Sequence, residues 1–182
     1  MEGPKTYKEL KEYITKDLKY TANKPVRTFL SRYIFEPGFK YIFWLRVTRY
    51  SFLTKKRMLY VFSRFILKHY SYKYNFDISY QAQIGPGLVI AHHGYIIVMR
   101  NDVIGANCTL RPGVVFGKKL TEKTSGAFVG DNVNFGVGSV IVGDVKIGNN
   151  VTVGANAVIT KDIPSNCVVA GVPACVIRET DE

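Results

Sequence analysis

Residues 129–163 read VGDNVNFGVGSVIVGDVKIGNNVTVGANAVITKDI, and one spacing of six residues runs through the whole stretch. An aliphatic residue or a phenylalanine recurs at every sixth position: Val129, Phe135, Ile141, Ile147, Val153 and Ile159. Four positions after each stands a second, small or aliphatic side chain: Val133, Ser139, Val145, Val151, Ala157 and Ile163. This period matches neither an amphipathic helix nor a simple strand alternation. It predicts short strands joined by tight turns, with the recurring side chains stacked inside a solenoid.

The same spacing occurs upstream in two other frames. One set is Ile78, Ile84, Ile90 and Ile96, and the other is Val98, Ile104, Leu110 and Phe116. Residues 118–126, KKLTEKTSG, interrupt the repeat and are predicted to form a loop that leaves the coil. A positive φ is expected where asparagines stand at predicted turns: Asn132, Asn149, Asn150 and Asn156.

Charge and aromatic residues divide the chain into two parts. Residues 1–75 carry 17 Lys/Arg against 5 Asp/Glu, whereas residues 76–182 carry 8 against 9. The first part also holds 18 of the 24 aromatic residues. We therefore predict two domains: a basic, aromatic, α-helical domain over residues 1–75, and the repeat domain with a C-terminal tail over residues 76–182.

The repeat resembles that of the hexapeptide-repeat transferases. The resemblance implies a mainly β fold, a left-handed parallel β-helix of triangular section, preceded here by a small α-helical domain. Three hexapeptides make one coil in that family. Its members are trimers with active sites between subunits, so a homotrimer is expected, with the 118–128 loop reaching towards a neighbour's site.

Three histidines are candidates for acid–base chemistry: His69, His92 and His93. His92 and His93 stand at a predicted turn between two repeats, where a ligand can reach them. A histidine side chain has a pKa of about 6.5 when unperturbed, which suits the removal of a proton near neutrality. His69 falls in a basic helical segment and is expected to be structural, and His93 is expected to be a bystander.

The turn narrows the resemblance to serine acetyltransferases and to their relatives that acetylate sugars and polysaccharides. In serine acetyltransferases an Asp-Ile-His segment lies fifteen residues before the histidine of a Leu-Asp-His-Ala segment. Asp77-Ile78-Ser79 precedes His92 by the same interval. The resemblance thus implies that His92 is the general base and that Asp77 orients its ring.

Two departures from serine acetyltransferases bear on the acceptor. Ala91 replaces the aspartate that precedes the family's histidine, and Ser125-Gly126 aligns with an Arg-His pair in its active-site loop. A saccharide hydroxyl, in surface or exopolysaccharide assembly, is therefore expected as acceptor ahead of free serine.

The end of the repeat resembles the part of these transferases that lies beside the pantetheine arm of acetyl-CoA. The segments concerned are residues 160–164, TKDIP, and 170–174, AGVPA. Gly136, Gly138 and Ala155 are expected to let the arm lie against the backbone. Because Cys175 stands where the family often has a basic residue, Lys161 or Arg178 is expected to supply charge near the nucleotide phosphates.

Composition and motif spacing argue against a disulfide-linked, metal-binding, membrane-spanning or secreted protein. Cys108, Cys167 and Cys175 have no CxxC spacing and suggest neither disulfides nor a zinc site. His69 is remote in sequence from His92 and His93, so no metal is expected. The chain shows no apolar run of bilayer length and no signal peptide at its start, and a cytoplasmic location is expected.

The basic half is predicted to be helical. Thr6 is a candidate N-cap for a helix reaching about Tyr20, and Pro25 and Pro37 suit first turns of two further helices. The plainest interpretation is a cap that packs on the β-helix and on neighbouring subunits. A second interpretation is contact with anionic lipid at the inner membrane face, through basic residues interleaved with aromatic ones: Arg46, Arg49, Lys55, Lys56, Arg57, Arg64 and Lys68 with Phe43, Trp44, Phe52 and Phe65. No nucleic-acid-binding motif accompanies the charge, and no nucleic acid is expected as partner.

The function predicted from the sequence is transfer of acetyl from acetyl-CoA to a saccharide hydroxyl, with serine O-acetylation as the alternative reaction. An alternative of another class is a β-helical scaffold or membrane adaptor without catalysis.

Overall fold

The computed structural model describes residues 3–19, 29–118 and 126–180. Within these ranges the chain begins with four helices: α1 (Tyr7–Lys19), α2 (Phe29–Phe35), α3 (Pro37–Leu53) and α4 (Arg57–Tyr74). Fifteen short strands follow in the same ranges: β1 (Phe76–Ile78), β2 (Gln83–Ile84), β3 (Val89–Ile90), β4 (Ile96–Val98), β5 (Val103–Ile104), β6 (Thr109–Leu110), β7 (Val115–Gly117), β8 (Phe128–Val129), β9 (Asn134–Phe135), β10 (Val140–Val142), β11 (Lys146–Ile147), β12 (Val151–Val153), β13 (Val158–Ile159), β14 (Cys167–Ala170) and β15 (Cys175–Glu179). The predicted helix start at Pro25 and residues 119–125 of the predicted loop lie outside the described residues.

The strands wind into the predicted left-handed parallel β-helix. The first sheet has the order β1-β4-β7-β10-β13, the second β2-β5-β8-β11, and the third β3-β6-β9-β12-β14-β15. From β1 to β10, each strand pairs in parallel with the strand three places further along the chain, so three strands make one coil. β12 pairs in parallel with β14. β15 differs, since it returns antiparallel to β14.

The interior of the coil is the core that the six-residue period predicted. The six recurring residues of the 129–163 stretch are all at most 2% exposed. The two upstream sets are buried as well, so all three frames are confirmed. α3 and α4 add Tyr41, Ile42, Leu45 and Leu67 to the same hydrophobic cluster. α4 ends at Tyr74 and β1 begins at Phe76, but the division into two domains stays a prediction.

One edge of the coil is held by a ladder of asparagines. Four asparagines with a φ of 57–59° form this asparagine edge, and the side chain of each of the first three donates a hydrogen bond to the side chain of the next: Asn107, Asn132, Asn150 and Asn166. Asn156 has the predicted positive φ on another edge. The expectation for Asn149 was wrong, because its side chain instead accepts the Asp131 N–H at 2.8 Å and its backbone is not in the left-handed region.

α1 begins with the capping that Thr6 predicted. The Glu9 N–H donates to the Thr6 hydroxyl at 3.2 Å, and the Thr6 N–H donates back to the Glu9 carboxylate at 3.3 Å. Pro37 occupies the first turn of α3, also as predicted. α3 packs closely on β3 at Gly38, where an added Cβ would lie only 2.9 Å from the Cβ of Ile90.

A buried ion pair joins the helices to the coil. Arg46 of α3 donates to both carboxylate oxygens of Asp17 at 2.9 and 3.1 Å, and it also donates to the carbonyls of Ile84 and Gly85 at 2.6 Å. Asp17 in turn accepts the N–H groups of Gly87 and Leu88 at 2.7 and 2.9 Å. Asp17 and Arg46 are 1% and 3% exposed.

The prediction of a basic surface was wrong for part of its residues. Arg46 is buried, and the partly buried Arg49 donates to the Gln81 carbonyl at 2.9 Å, so these two residues brace the helices against the coil. Phe43 and Trp44 are partly buried in an aromatic cluster with Tyr33. Phe52 is exposed in the last turn of α3, and Arg64 is partly buried over the Tyr80 ring. The other exposed residues of the predicted surface lie on α4 and just before it. None of the described helices combines the length and the hydropathy needed to span a membrane.

The cysteines differ in accessibility, which predicts their reactivity. Burial raises the pKa of the Cys108 thiol to about 11 and also raises that of Cys167, whereas Cys175 is exposed. Because the thiolate is the reactive form, we expect a thiol reagent at neutral pH to label Cys175 within minutes and the other two only after unfolding. Counting labelled thiols by mass spectrometry checks this. Rapid labelling of all three in the native protein would contradict the packing.

Candidate active site

The turns between strands stack into three edges of a triangular prism. We call one the site edge; its turns follow strands of the third sheet and comprise residues 91–95, 111–114, 136–139, 154–157 and 171–174. The loop edge follows strands of the first sheet and comprises residues 79–82, 99–102, 143–145 and 160–162, with both ends of the predicted loop, Lys118 and Gly126. The asparagine edge is the third.

His92 lies on the first turn of the site edge, and both His92 and His93 are exposed. The backbone around them is fixed on two sides. The Gly94 N–H donates to the Tyr74 carbonyl at the end of α4 at 3.2 Å, and the Ala91 N–H donates to the Leu110 carbonyl of the next coil at 3.1 Å. The turn is therefore anchored while its imidazoles face solvent.

Asp77 projects outward from β1 between two buried neighbours. β1 pairs with β4, the strand that begins just after the His92 turn. Burial raises the pKa of the underlying Tyr41 to about 12, and the negative charge of Asp77 contributes to that rise. Within the described ranges Asp77 and His92 share no hydrogen bond, so their predicted pairing stays a prediction.

Three of the predicted cofactor residues share the edge of His92. Gly136 and Gly138 lie on its third turn and Ala155 on its fourth. At a strand spacing of about 4.8 Å, the third turn is roughly 10 Å along the prism from His92. The coil itself requires the glycines, because a Cβ at Gly136 would lie 2.6 Å from the Ala155 nitrogen and one at Gly138 would meet the Asn156 side chain. Ala155, by contrast, is exposed.

The two predicted phosphate partners lie elsewhere on the same chain. Lys161 is exposed on the loop edge, and Arg178 is exposed on β15 opposite Val168, at the end of the third sheet. Neither shares the site edge with His92.

Two residues near His92 were missed in the sequence. Tyr95, 50% exposed, ends the His92 turn, and Arg111 begins the next turn, where it donates to the Phe135 carbonyl at 3.2 Å. The six-residue repeat could have indicated Arg111. It follows the recurring residue Leu110 just as Ala91, the start of the His92 turn, follows the recurring residue Ile90. In residues 3–19, 29–118 and 126–180, no three His, Cys, Asp or Glu side chains cluster as a metal site would require.

The repeat is also found in a known family. Residues 126–161 match the family described as "Bacterial transferase hexapeptide (six repeats)". Residues 126–161 of the β-helix therefore carry the repeat of that transferase family.

Relatives of this hexapeptide-repeat protein include acetyltransferases of two kinds. A serine acetyltransferase of Buchnera aphidicola (from Schizaphis graminum) is 27% identical over 170 residues, covering 91% of this chain and 64% of the relative. A putative colanic acid biosynthesis acetyltransferase, WcaB of Escherichia coli K12, is 36% identical over 104 residues, covering 57% of this chain and 64% of the relative. The chain thus spans less than two thirds of the length of these relatives.

Solved structures share the whole architecture. Serine acetyltransferase of Neisseria gonorrhoeae is 25% identical with a TM-score of 0.81, covering 97% of this chain and 69% of that one. The Brucella abortus serine acetyltransferase in complex with coenzyme A is 24% identical with a TM-score of 0.82, covering 96% and 70%. At 96% coverage or more, such likenesses include the helices as well as the coil of this hexapeptide-repeat protein.

Proposed function

We propose that the chain transfers the acetyl group of acetyl-CoA to a hydroxyl of a saccharide, with His92 as general base. The observation that carries this proposal is the exposed, backbone-anchored His92 on the first turn of the site edge. The repeat of residues 126–161 matches a family of transferases, and a protein of the same fold has been solved in complex with coenzyme A.

His92 accounts for both proton transfers in the proposed reaction. The acceptor hydroxyl gives its proton to the imidazole as its oxygen attacks the thioester carbonyl. The tetrahedral intermediate then collapses, the carbon–sulfur bond breaks, and the imidazolium returns the proton to the departing thiolate. Asp77 is proposed to hold the ring in one tautomer and to stabilise the imidazolium.

The negative oxygen of the intermediate needs a hydrogen-bond donor. In the described part of the chain the N–H groups of His92 and His93 make no backbone hydrogen bond, so they are candidates. The pantetheine arm is proposed to run from His92 along the site edge past Gly136, Gly138 and Ala155.

A homotrimer would explain why Lys161 and Arg178 lie away from His92. A threefold ring joins two different surfaces of each subunit, so the loop edge of one subunit, with Lys161, can meet the site edge of the next. The first sheet supports such contact, since an outward, partly exposed apolar column runs up it in register: Ile97, Val115, Val140 and Val158.

Serine O-acetylation is the second candidate. The relatives that cover most of this chain, in sequence and in structure, are serine acetyltransferases. Ala91 and the Ser125-Gly126 pair favour a saccharide because they remove polar groups that the resemblance assigns to the amino-acid acceptor. Ser125 lies outside the described residues.

Thiol release from acetyl-CoA tests the proposal, measured with free serine and with a panel of nucleotide-linked and oligomeric saccharides. Acceleration by a saccharide, with the acetylated product seen by mass spectrometry, is expected. Acceleration by serine alone would show that the acceptor is free serine and not a saccharide. No release with any acceptor would favour a scaffold without catalysis.

We further propose a cytoplasmic location beside the inner membrane face, where acceptors in surface polysaccharide assembly are found.

Replacing Ala155 by phenylalanine tests the path of the pantetheine arm. Because the side chain is exposed on the site edge, we expect normal stability and a KM for acetyl-CoA raised about tenfold, the equivalent of about 1.4 kcal/mol of lost binding. Pro164→Phe, exposed near the asparagine edge, is the matched control and should leave that KM unchanged. An unaltered KM in Ala155→Phe would remove this edge from the cofactor site.

A further inference from the structure

α4 has two apolar faces, and one of them faces solvent. Leu67 and Ser63 on one side are buried against α3 and the coil. On the opposite side, large side chains are 60–85% exposed: Met58, Val61, Phe62, Phe65 and Tyr72. With 3.6 residues per turn, these five fall within an arc of roughly 100°, which also contains the exposed His69. We call this stripe the α4 outer face.

Cations border the α4 outer face on both sides. Arg57 and Lys68 are exposed along one side of the stripe and Lys73 along the other, with Lys55 and Lys56 just before the helix. Arg64 is partly buried, with its guanidinium over the Tyr80 ring. Residues 37–76 contain nine Lys/Arg and no Asp or Glu. An exposed apolar stripe of this size marks an interaction surface, and its basic border indicates an anionic partner.

We infer that the α4 outer face lies in the interface of a membrane rich in anionic lipid. Its apolar side chains enter the acyl boundary while the flanking Lys and Arg meet lipid phosphates. This deepens the proposed position at the inner membrane face by naming the surface that makes the contact. It does not depend on His92 or on the acceptor.

The observations favour lipid over two other partners. A second copy docking the same face about a twofold axis would bring the cations that border the stripe towards those of its partner, and α4 carries no acid to offset them. Like charges across an interface oppose binding. Nucleic acid would satisfy the cations, but protein surfaces that bind it are more polar and would leave Met58, Phe62 and Phe65 exposed to water.

The same geometry sets where the candidate site stands relative to the lipid. α4 ends at Tyr74, whose carbonyl accepts the Gly94 N–H of the His92 turn. An α4 lying in the interface therefore holds the site edge beside the membrane surface, within reach of an acceptor carried on lipid.

Flotation of the full chain with vesicles tests the inference. Vesicles of phosphatidylglycerol and phosphatidylcholine are compared with phosphatidylcholine alone, at low and high salt. We expect binding to the anionic vesicles that weakens as salt is raised. We expect at least tenfold weaker binding for Phe65→Asp, and about fivefold or more for Lys68→Glu.

Matched controls lie on α1. Tyr7→Asp and Lys8→Glu introduce the same two residues at exposed positions away from α4, Tyr7 being 72% exposed against 79% for Phe65, and they should bind nearly as the parent does. Circular dichroism confirms that Phe65→Asp is folded. His92→Ala should bind vesicles normally, so a failure of the transferase proposal is distinguishable from a failure of this one.

Three results would overturn the inference. The first is no flotation with anionic vesicles at low salt. The second is an equal loss of binding in the α1 and α4 variants, which would indicate general charge alone. The third is a smaller assembly for Phe65→Asp in sedimentation with vesicle binding unchanged, which would assign the face to a second copy. Binding of an RNA oligomer in place of vesicles would likewise replace lipid with nucleic acid.

Discussion

His92→Ala is expected to lower the rate of acetyl transfer by roughly 10²–10⁴-fold, the usual contribution of a general base. No other side chain on the site edge can accept a proton from a hydroxyl near neutral pH, apart from the adjacent His93. The imidazole is exposed on an anchored turn, so its removal should leave the fold and the KM for acetyl-CoA unchanged. Steady-state thiol release at saturating acetyl-CoA measures the effect.

His93→Ala is the matched control, because it makes the same change at the neighbouring exposed position. It should retain a kcat within a few-fold of the parent. Asp77→Asn should lower kcat, by less than His92→Ala, with both KM values unchanged, if Asp77 acts through the histidine ring. Near-normal turnover in His92→Ala, or a greater loss in His93→Ala, would move the base away from His92.

Asp17→Ala is expected to lower the free energy of unfolding by about 3–5 kcal/mol. The substitution leaves the buried Arg46 guanidinium without its counter-ion, and removing one partner of a buried pair costs this much. It also leaves the N–H groups of Gly87 and Leu88 without the acceptor they use. Urea denaturation followed by circular dichroism measures the change.

Two further variants separate the ion pair from general effects on α1. Glu12→Ala, exposed on the same helix, should cost less than about 1 kcal/mol, as surface substitutions generally do. The double variant Asp17→Leu with Arg46→Met should be more stable than Asp17→Ala, because it leaves no unpaired charge inside. A cost for Asp17→Ala no greater than that of Glu12→Ala would contradict the clamp between helices and coil.

The coil was readable in the sequence because its side chains obey a strict period. Each recurring residue, from Ile78 to Ile159, has the same task of filling the prism, so position predicts burial directly. The turns were less predictable, because neighbouring asparagines can have different duties. Asn150 adopts the left-handed backbone, whereas Asn149 uses its side chain to accept the Asp131 N–H.

The helical half could be predicted only in outline. Thr6 and Pro37 marked helix starts because capping depends on local sequence. Arg46 was misplaced on the surface, since its partners are Asp17, 29 residues away, and two carbonyls of the coil, 38 and 39 residues away. The accessibility of His92 could be predicted because it follows from the local repeat. The positions of Lys161 and Arg178 away from the site edge could not, because they depend on how the whole coil winds.

The most direct test of the account is to follow the acetyl group itself. Acetyl-CoA labelled in the acetyl group is incubated with the full chain and a saccharide acceptor, and the acceptor is analysed by mass spectrometry. We predict one labelled acetyl ester per acceptor with stoichiometric release of coenzyme A, and almost none with His92→Ala. Equal ester formation by His92→Ala, or release of coenzyme A without any acetylated hydroxyl, would contradict it.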